Sequence, residues 1–187
     1  MPAATRPQKY LDNVMELLAA GVDAQCRAML DAVPLPVYTT DADGLVTYWN
    51  RACVVFAGRE PCLGEDRWCV TWRLYTTADE PLPHDRCPMA VAIKEAREVR
   101  GTVAIAMRPD GSRKAFTPYP TPLFDEAGEL TGAVNLLVDV SDEQADALVQ
   151  QAERCRRLAA SVTDARARNL LESLAGGYHR NAIALRE

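Results

Sequence analysis

His84 and Cys87 stand three residues apart in Pro83-His84-Asp85-Arg86-Cys87, with Cys69 upstream. An imidazole and two thiols are ligand types that take zinc or another soft transition metal. A structural zinc site needs about four such ligands at tetrahedral positions, and no second His-x-x-Cys or Cys-x-x-Cys pair is present to complete one. A metal site at His84, Cys69 and Cys87 therefore stands only as an alternative to a surface imidazole beside a core thiol. The other histidine, His179, follows Gly176-Gly177, and phosphotransfer there has only the residue type behind it. No glycine-rich phosphate loop, catalytic carboxylate pair or nucleophile elbow occurs. No catalytic residue is assigned, and an enzyme is not expected.

Bulk properties narrow the class. The chain has 187 residues, enough for one domain with extensions. A net charge of −5 argues against a broad nucleic-acid face, which needs basic residues to displace phosphate counterions. No apolar run approaches the ~18 residues of a membrane span, and Met1–Tyr10 lacks a secretory pattern. A cytoplasmic location is expected, with the six cysteines reduced.

The elements that must position these groups follow from periodicity. Residues 8–31 read as one helix, with Leu11, Val14, Met15, Leu18, Val22, Cys26, Met29 and Leu30 on one face until Pro34 and Pro36 end it. The period then falls to two in Val37–Thr40 and Leu45–Trp49, joined by the turn Asp41-Ala42-Asp43-Gly44. Asn50 is placed to cap a helix over Arg51–Ala57. Residues 58–88 read as irregular, and Met89–Glu98 as a short helix entered through Pro88. Val99–Met107, Lys114–Leu123 and Leu130–Val140 read as strands. Ser141 or Asp142 caps a helix to about Val162, and a last helix ends near Gly176-Gly177.

At this point a family likeness becomes specific. Val37–Ala52, with Asp41, Gly44 and Asn50 at their spacing, resembles the opening hairpin of PAS domains. The turn Arg108–Ser112 resembles the family's late hairpin, and Asp139-Val140-Ser141-Asp142 its junction with an output helix. The stretches Trp68–Tyr75, Pro81–Ala90 and Pro118–Asp125 are similar to PAS sensor domains found ahead of alphaproteobacterial sensor histidine kinases. The resemblance implies an α+β fold: a five-stranded antiparallel sheet with short helices on one face and flanking helices at both ends. It divides the chain into a helical extension (1–31), a sensory domain (32–141) and an output and dimerisation segment (142–187).

The same resemblance implies a pocket between sheet and helices that holds a flavin, a haem, a small metabolite or nothing. Cys53, Trp68, Trp72, Tyr75, Met89, Tyr119 and Asn135 are the pocket candidates, combining apolar walls with polar handles, against the plainer reading that they fill the core. Some PAS domains hold haem through a histidine on the helix that His84 precedes. The Asn-Cys-Arg-Phe-Leu-Gln-type cysteine motif of flavin photoreceptors is missing, and Cys69 lies in Arg-Trp-Cys-Val, so photoreception is not expected and non-photoactive flavin binding stays open. Asp139 is expected to cap the output helix and to pair with Arg113 or Arg108, forming a signal junction. The functional expectation is a module that senses a small ligand or redox state, or binds protein, and forms a homodimer through residues 8–31 and 142–175. A separate kinase or regulator would receive the signal, with no nucleic acid and no membrane involved.

Overall fold

The structure, a computed structural model, describes residues 5–19 and 24–186. Helices α1 (Thr5–Ala19) and α2 (Ala24–Asp31) precede strands β1 (Val37–Asp41) and β2 (Val46–Trp49). Helix α3 (Arg51–Ala57), strand β3 (Arg73–Tyr75), a short 3-10 turn (His84–Arg86) and helix α4 (Pro88–Lys94) follow. Then come β4 (Ala104–Met107), β5 (Arg113–Pro118), β6 (Thr121–Phe124), β7 (Leu130–Asp139), α5 (Ser141–Ser161) and α6 (Ala165–Ala184).

The sheet runs β2-β1-β7-β5-β4-β3, with β6 also on β7. Every strand pair is antiparallel. The expected five strands become seven for two reasons. Lys114–Leu123 is interrupted around Pro120, which has no N–H to donate, yet Phe116↔Asp139 and Thr121↔Val134 keep one register across the break. Residues 58–88 were expected to be irregular, and Arg73–Tyr75 instead pairs with β4 at the sheet edge.

Alternation along the strands sorts two faces. Tyr38, Val46, Leu74, Ala106, Phe116, Ala133 and Leu137 point inward and pack with Cys53, Phe56, Cys69, Val70, Cys87, Met89 and Ile93. Val37, Tyr48, Val134 and Leu136 point outward and are covered by Leu11, Val14 and Leu30. Farther along the same outer face, Ile105 and Ala115 meet Ala145, Leu148, Ala182 and Leu185.

Two helix expectations change. A single helix over 8–31 would separate Leu11 from Leu30 by about 28 Å at 1.5 Å per residue, but both join one apolar cluster, so α1 folds back onto α2. Gly21 and Val22 lie outside the described residues, as does the Cys26 side chain. At the other end α6 continues through Gly176 and Gly177, because Tyr178, Ala182 and Leu185 anchor its far half on α5 and the sheet. That packing outweighs the ~1 kcal/mol each glycine costs a helix.

Asn50 ties these elements together. Its Oδ1 accepts from Val37 N at 3.0 Å and Cys53 N at 3.2 Å, so it caps α3 and anchors β1. Its Nδ2 donates to the carbonyls of Leu30 at 3.1 Å and Leu35 at 2.9 Å, holding the end of α2. It is fully buried.

Candidate functional site

Tyr38 stands at the centre of the interior. Its hydroxyl donates to the Trp68 carbonyl at 3.0 Å and accepts from Asn135 Nδ2 at 3.0 Å. Asn135 Oδ1 accepts from Tyr119 N at 2.9 Å, so the side chain bridges interior and backbone. Three thiols border this network. Cys87 Sγ reaches the same Trp68 carbonyl at 3.8 Å, Cys53 Sγ donates to Val37 O at 3.3 Å, and Cys69 Sγ bonds Thr71 Oγ1 at 3.1 Å. Burial pushes all three thiols up, Cys87 to about 12. Burial, with Cys69 and Cys87 nearby, also holds Tyr38 well above the usual phenol range.

Thr40 Oγ1 and Trp49 Nε1 are buried without a hydrogen-bond partner. Thr40 lies two residues from Tyr38 on the same strand face, and Trp49 pairs with Tyr38 across β1 and β2. Buried polar groups of this kind lose free energy until water or a ligand satisfies them.

β7 leads from the interior to the output helix. Four residues after Asn135, Asp139 Oδ1 accepts from Ser141 N at 2.9 Å and Ser141 Oγ at 2.6 Å. Ser141 Oγ in turn accepts from Ala115 N at 3.0 Å, so strand β5 and helix α5 share one hydroxyl. Asp139 thus takes the first free N–H of α5, as expected of it, while Ser141, the other candidate cap, is the first residue of the helix. The expected pairing of Asp139 with a basic residue is not made. Arg113 pairs with Asp79 at 2.6 Å and stacks on Tyr75 at 4.9 Å, while Arg108 donates to the carbonyls of Phe56 at 2.8 Å and Val55 at 3.0 Å. Each arginine is drawn to the nearer acceptor in space, which strand order could not reveal.

The seven pocket candidates do not share one chamber. Cys53, Met89 and Asn135 face the interior, and half-buried Trp68 packs against the same cluster with its indole over Gly44, where an added Cβ would lie 2.2 Å from the ring. Trp72 is exposed with the Arg73 guanidinium 4.2 Å from its ring. Tyr75 packs beneath α5 and α6, and Tyr119 packs in the cluster under α1, both on the outer face. Alternation would have exposed Tyr38 and Thr40 as inward partners on β1. Nothing local marked Ser141 as the joint between β5 and α5.

His84 opens the 3-10 turn and borders an outward cleft of about 260 Å³ with Trp72, Leu74, Tyr75 and Leu82. Its Nε2 is buried without a partner. Burial is the main cause lowering its pKa, opposed by Asp66 and assisted by Arg59. Cys69 and Cys87 point instead into the core. Among the described residues, no three His, Cys, Asp or Glu side chains come close enough to hold a metal ion. The metal alternative at His84, Cys69 and Cys87 is thus not assembled.

No protein-family model and no curated protein matches the chain. Solved structures do. An RNA-binding light-oxygen-voltage receptor is 22% identical with a TM-score of 0.51, over 66% of this chain and 36% of that one. This chain thus spans about a third of that receptor's length. A Rhodobacter sphaeroides LOV protein is 13% identical with a TM-score of 0.49, over 94% and 97% of the two chains. A LOV domain studied with a flavin analogue is 18% identical with a TM-score of 0.49, over 72% and 98%. The fold is that of PAS domains, the class that includes LOV domains.

A flavin is the group that this likeness brings to mind, and the interior does not fit it. Tyr38, Met89, Phe116 and Leu137 fill the interior as one buried cluster, and the Asn135 amide and Tyr38 hydroxyl already bond one another. A haem on His84 fits no better, because the imidazole borders the outward cleft rather than the core. No helix among the described residues is long and apolar enough to cross a membrane.

Proposed function

We propose that the chain is a sensory signal-transduction module in which residues 32–141 receive a small ligand and residues 142–187 carry the response. The carrying observation is β7 itself. It holds Asn135 against Tyr38 inside and, four residues on, the Asp139–Ser141–Ala115 joint at the root of α5. A shift at the interior amide is thereby a shift in the seating of the helix. The unpartnered Thr40 hydroxyl and Trp49 N–H supply handles for a ligand of a few polar atoms bearing an acceptor oxygen. Thiol redox sensing is the weaker reading. The thiolate is the reactive form, and a thiol at about 12 is ionised at neutral pH to only about one part in 10⁵. The output passes to a separate protein or to a second copy, and the acidic charge supports no nucleic-acid role.

Hydrogen exchange with mass spectrometry tests the relay. Asn135→Leu removes the interior bonds, and Leu11→Ala in the α1 cluster serves as a control of comparable destabilisation. Asn135→Leu is expected to speed exchange in the first turns of α5 by about tenfold more than the control. Equal exchange of α5 in the two variants refutes the relay.

A further inference from the structure

Strand β2 lies at one edge of the sheet, and a cleft of about 640 Å³ opens beside it. That size falls within the roughly 300–1,000 Å³ of small-ligand sites. Helix α2 supplies one wall through Arg27 and Asp31, four residues apart and so on one helix face. Tyr48 and Trp49 line the cleft from the strand. Helix α3 and the loop after it add an apolar wall of Val54, Val55 and Leu63, the last two 70% and 56% exposed. The polar groups here are mostly donors left without acceptors. Arg27 and Arg51 form no ion pair among the described residues, and the Arg27 guanidinium lies 5.8 Å from the centre of the Tyr48 ring. Trp49 Nε1 is buried without a partner. Guanidinium and indole groups only donate, so whatever satisfies them must accept. The acids of the cleft do not fill that role. Asp31 Oδ1 is engaged by the Tyr48 hydroxyl at 3.2 Å and by Arg51 N at 3.3 Å. Burial, then the Asp31 charge, holds the Tyr48 phenol above its ordinary pKa, so it stays protonated as the donor. Glu60 is exposed, where water and salt screen its charge.

We infer that this cleft binds a small monocarboxylate with an apolar body, such as an aryl-alkanoate. Arg27 and Arg51 hold the carboxylate, the chemistry for which a guanidinium fork is shaped. Val54, Val55 and Leu63 cover the body, and the Trp49 N–H supplies one more donor. A neutral ligand would leave both guanidiniums without a counter-charge, and a bare inorganic anion would leave the apolar wall in water. The Tyr38 network and the interior thiols do not line this cleft. The inference deepens the ligand reception proposed above and rests on it for the Trp49 handle: the acceptor oxygen named there belongs to a carboxylate. It also adds Arg27, which precedes residues 32–141, to the receiving side chains.

Isothermal titration calorimetry of the purified chain with phenylacetate decides it, with circular dichroism confirming that each variant is folded. The wild type is expected to bind phenylacetate saturably, one molecule per chain. Phenylacetamide keeps the body and loses the charge, and inorganic phosphate keeps a charge and loses the body. Each is expected to bind at least about tenfold more weakly. R27Q/R51Q is expected to weaken phenylacetate binding by about tenfold or more, and W49F by about threefold. E60Q is expected to tighten it by removing a like charge, and R156Q on α5 to leave it unchanged. No saturable binding below about 20 mM overturns the inference. So does binding that R27Q/R51Q leaves unchanged, which would put the ligand elsewhere, and so does amide or phosphate that binds as tightly as the acid. Failure here is distinct from failure of the β7 relay, which is read from hydrogen exchange in α5 without any added ligand.

Discussion

The His84 imidazole lies where its neutral form is favoured, chiefly through burial, with Arg59 acting in the same direction and Asp66 and Asp85 opposing. Its folded pKa lies below the unfolded value near 6.5, so the unfolded chain binds the proton more readily. Stability from this group is therefore full above about pH 6.5 and is lost as the pH falls towards the folded value. His84→Gln removes the titration. Urea unfolding from pH 7.5 to 5 should show the wild type losing more stability than His84→Gln, and parallel curves would show that burial is not felt at the imidazole. Single residues also show what sequence reading conveys and what it misses. Asn50 was legible as a cap because a polar residue before an apolar run has one obvious use. Its second duty, holding the Leu30 and Leu35 carbonyls, depends on the path of a helix that lies before it in the chain.

Elements here are joined through few side chains, and Asn50 is the clearest joint. Asn50→Ala leaves Val37 N and the Leu30 and Leu35 carbonyls without their side-chain partner inside a closed core. Each buried group so stranded costs about 1–3 kcal/mol, so a loss of about 3 kcal/mol or more is expected in urea denaturation. A loss below about 1 kcal/mol would mean that water replaces the side chain. The strands themselves were legible because alternation has only two phases and the turns carry Asp and Gly at their ends. The break at Pro120 and the edge strand Arg73–Tyr75 were not, since three residues are too few to show a period. The partners of Arg113 and Arg108 were equally hidden. A guanidinium on a long flexible stem takes whichever acceptor the tertiary fold brings near.

On the scale of the whole molecule, the sheet has two covers. The interior face is closed by α3, α4 and the loop between them, and the outer face by α1, α2 and the α5–α6 hairpin. A chain ending at Val140 would bare Ile105, Ala115, Val103 and Tyr75. Such a truncation is expected to bind a hydrophobic dye and to scatter light at micromolar concentration, where the full chain does neither. A clear, dye-free truncated protein would show that the hairpin is not a cover. This arrangement also changes the argument for a partner. The fold spends much of the apolar helix surface at the two ends of the sequence on its own sheet, while Met29, Leu170 and Leu174 stay exposed.

The resemblance to PAS domains carried the antiparallel α+β architecture, and the residues by themselves determined the opening hairpin, the Asn50 cap and the change from strand to helix near Ser141. These rest on local rules of period, turn chemistry and capping that act within a few residues. Only the tertiary structure decided that Tyr38 and three thiols share one interior, that Tyr75 and Tyr119 face away from it, and that Asp139 bonds Ser141 rather than an arginine. Those facts depend on which strands become neighbours and which face each helix covers. Contacts between residues far apart in the chain are set by the global packing of apolar surface, which no short window of residues encodes.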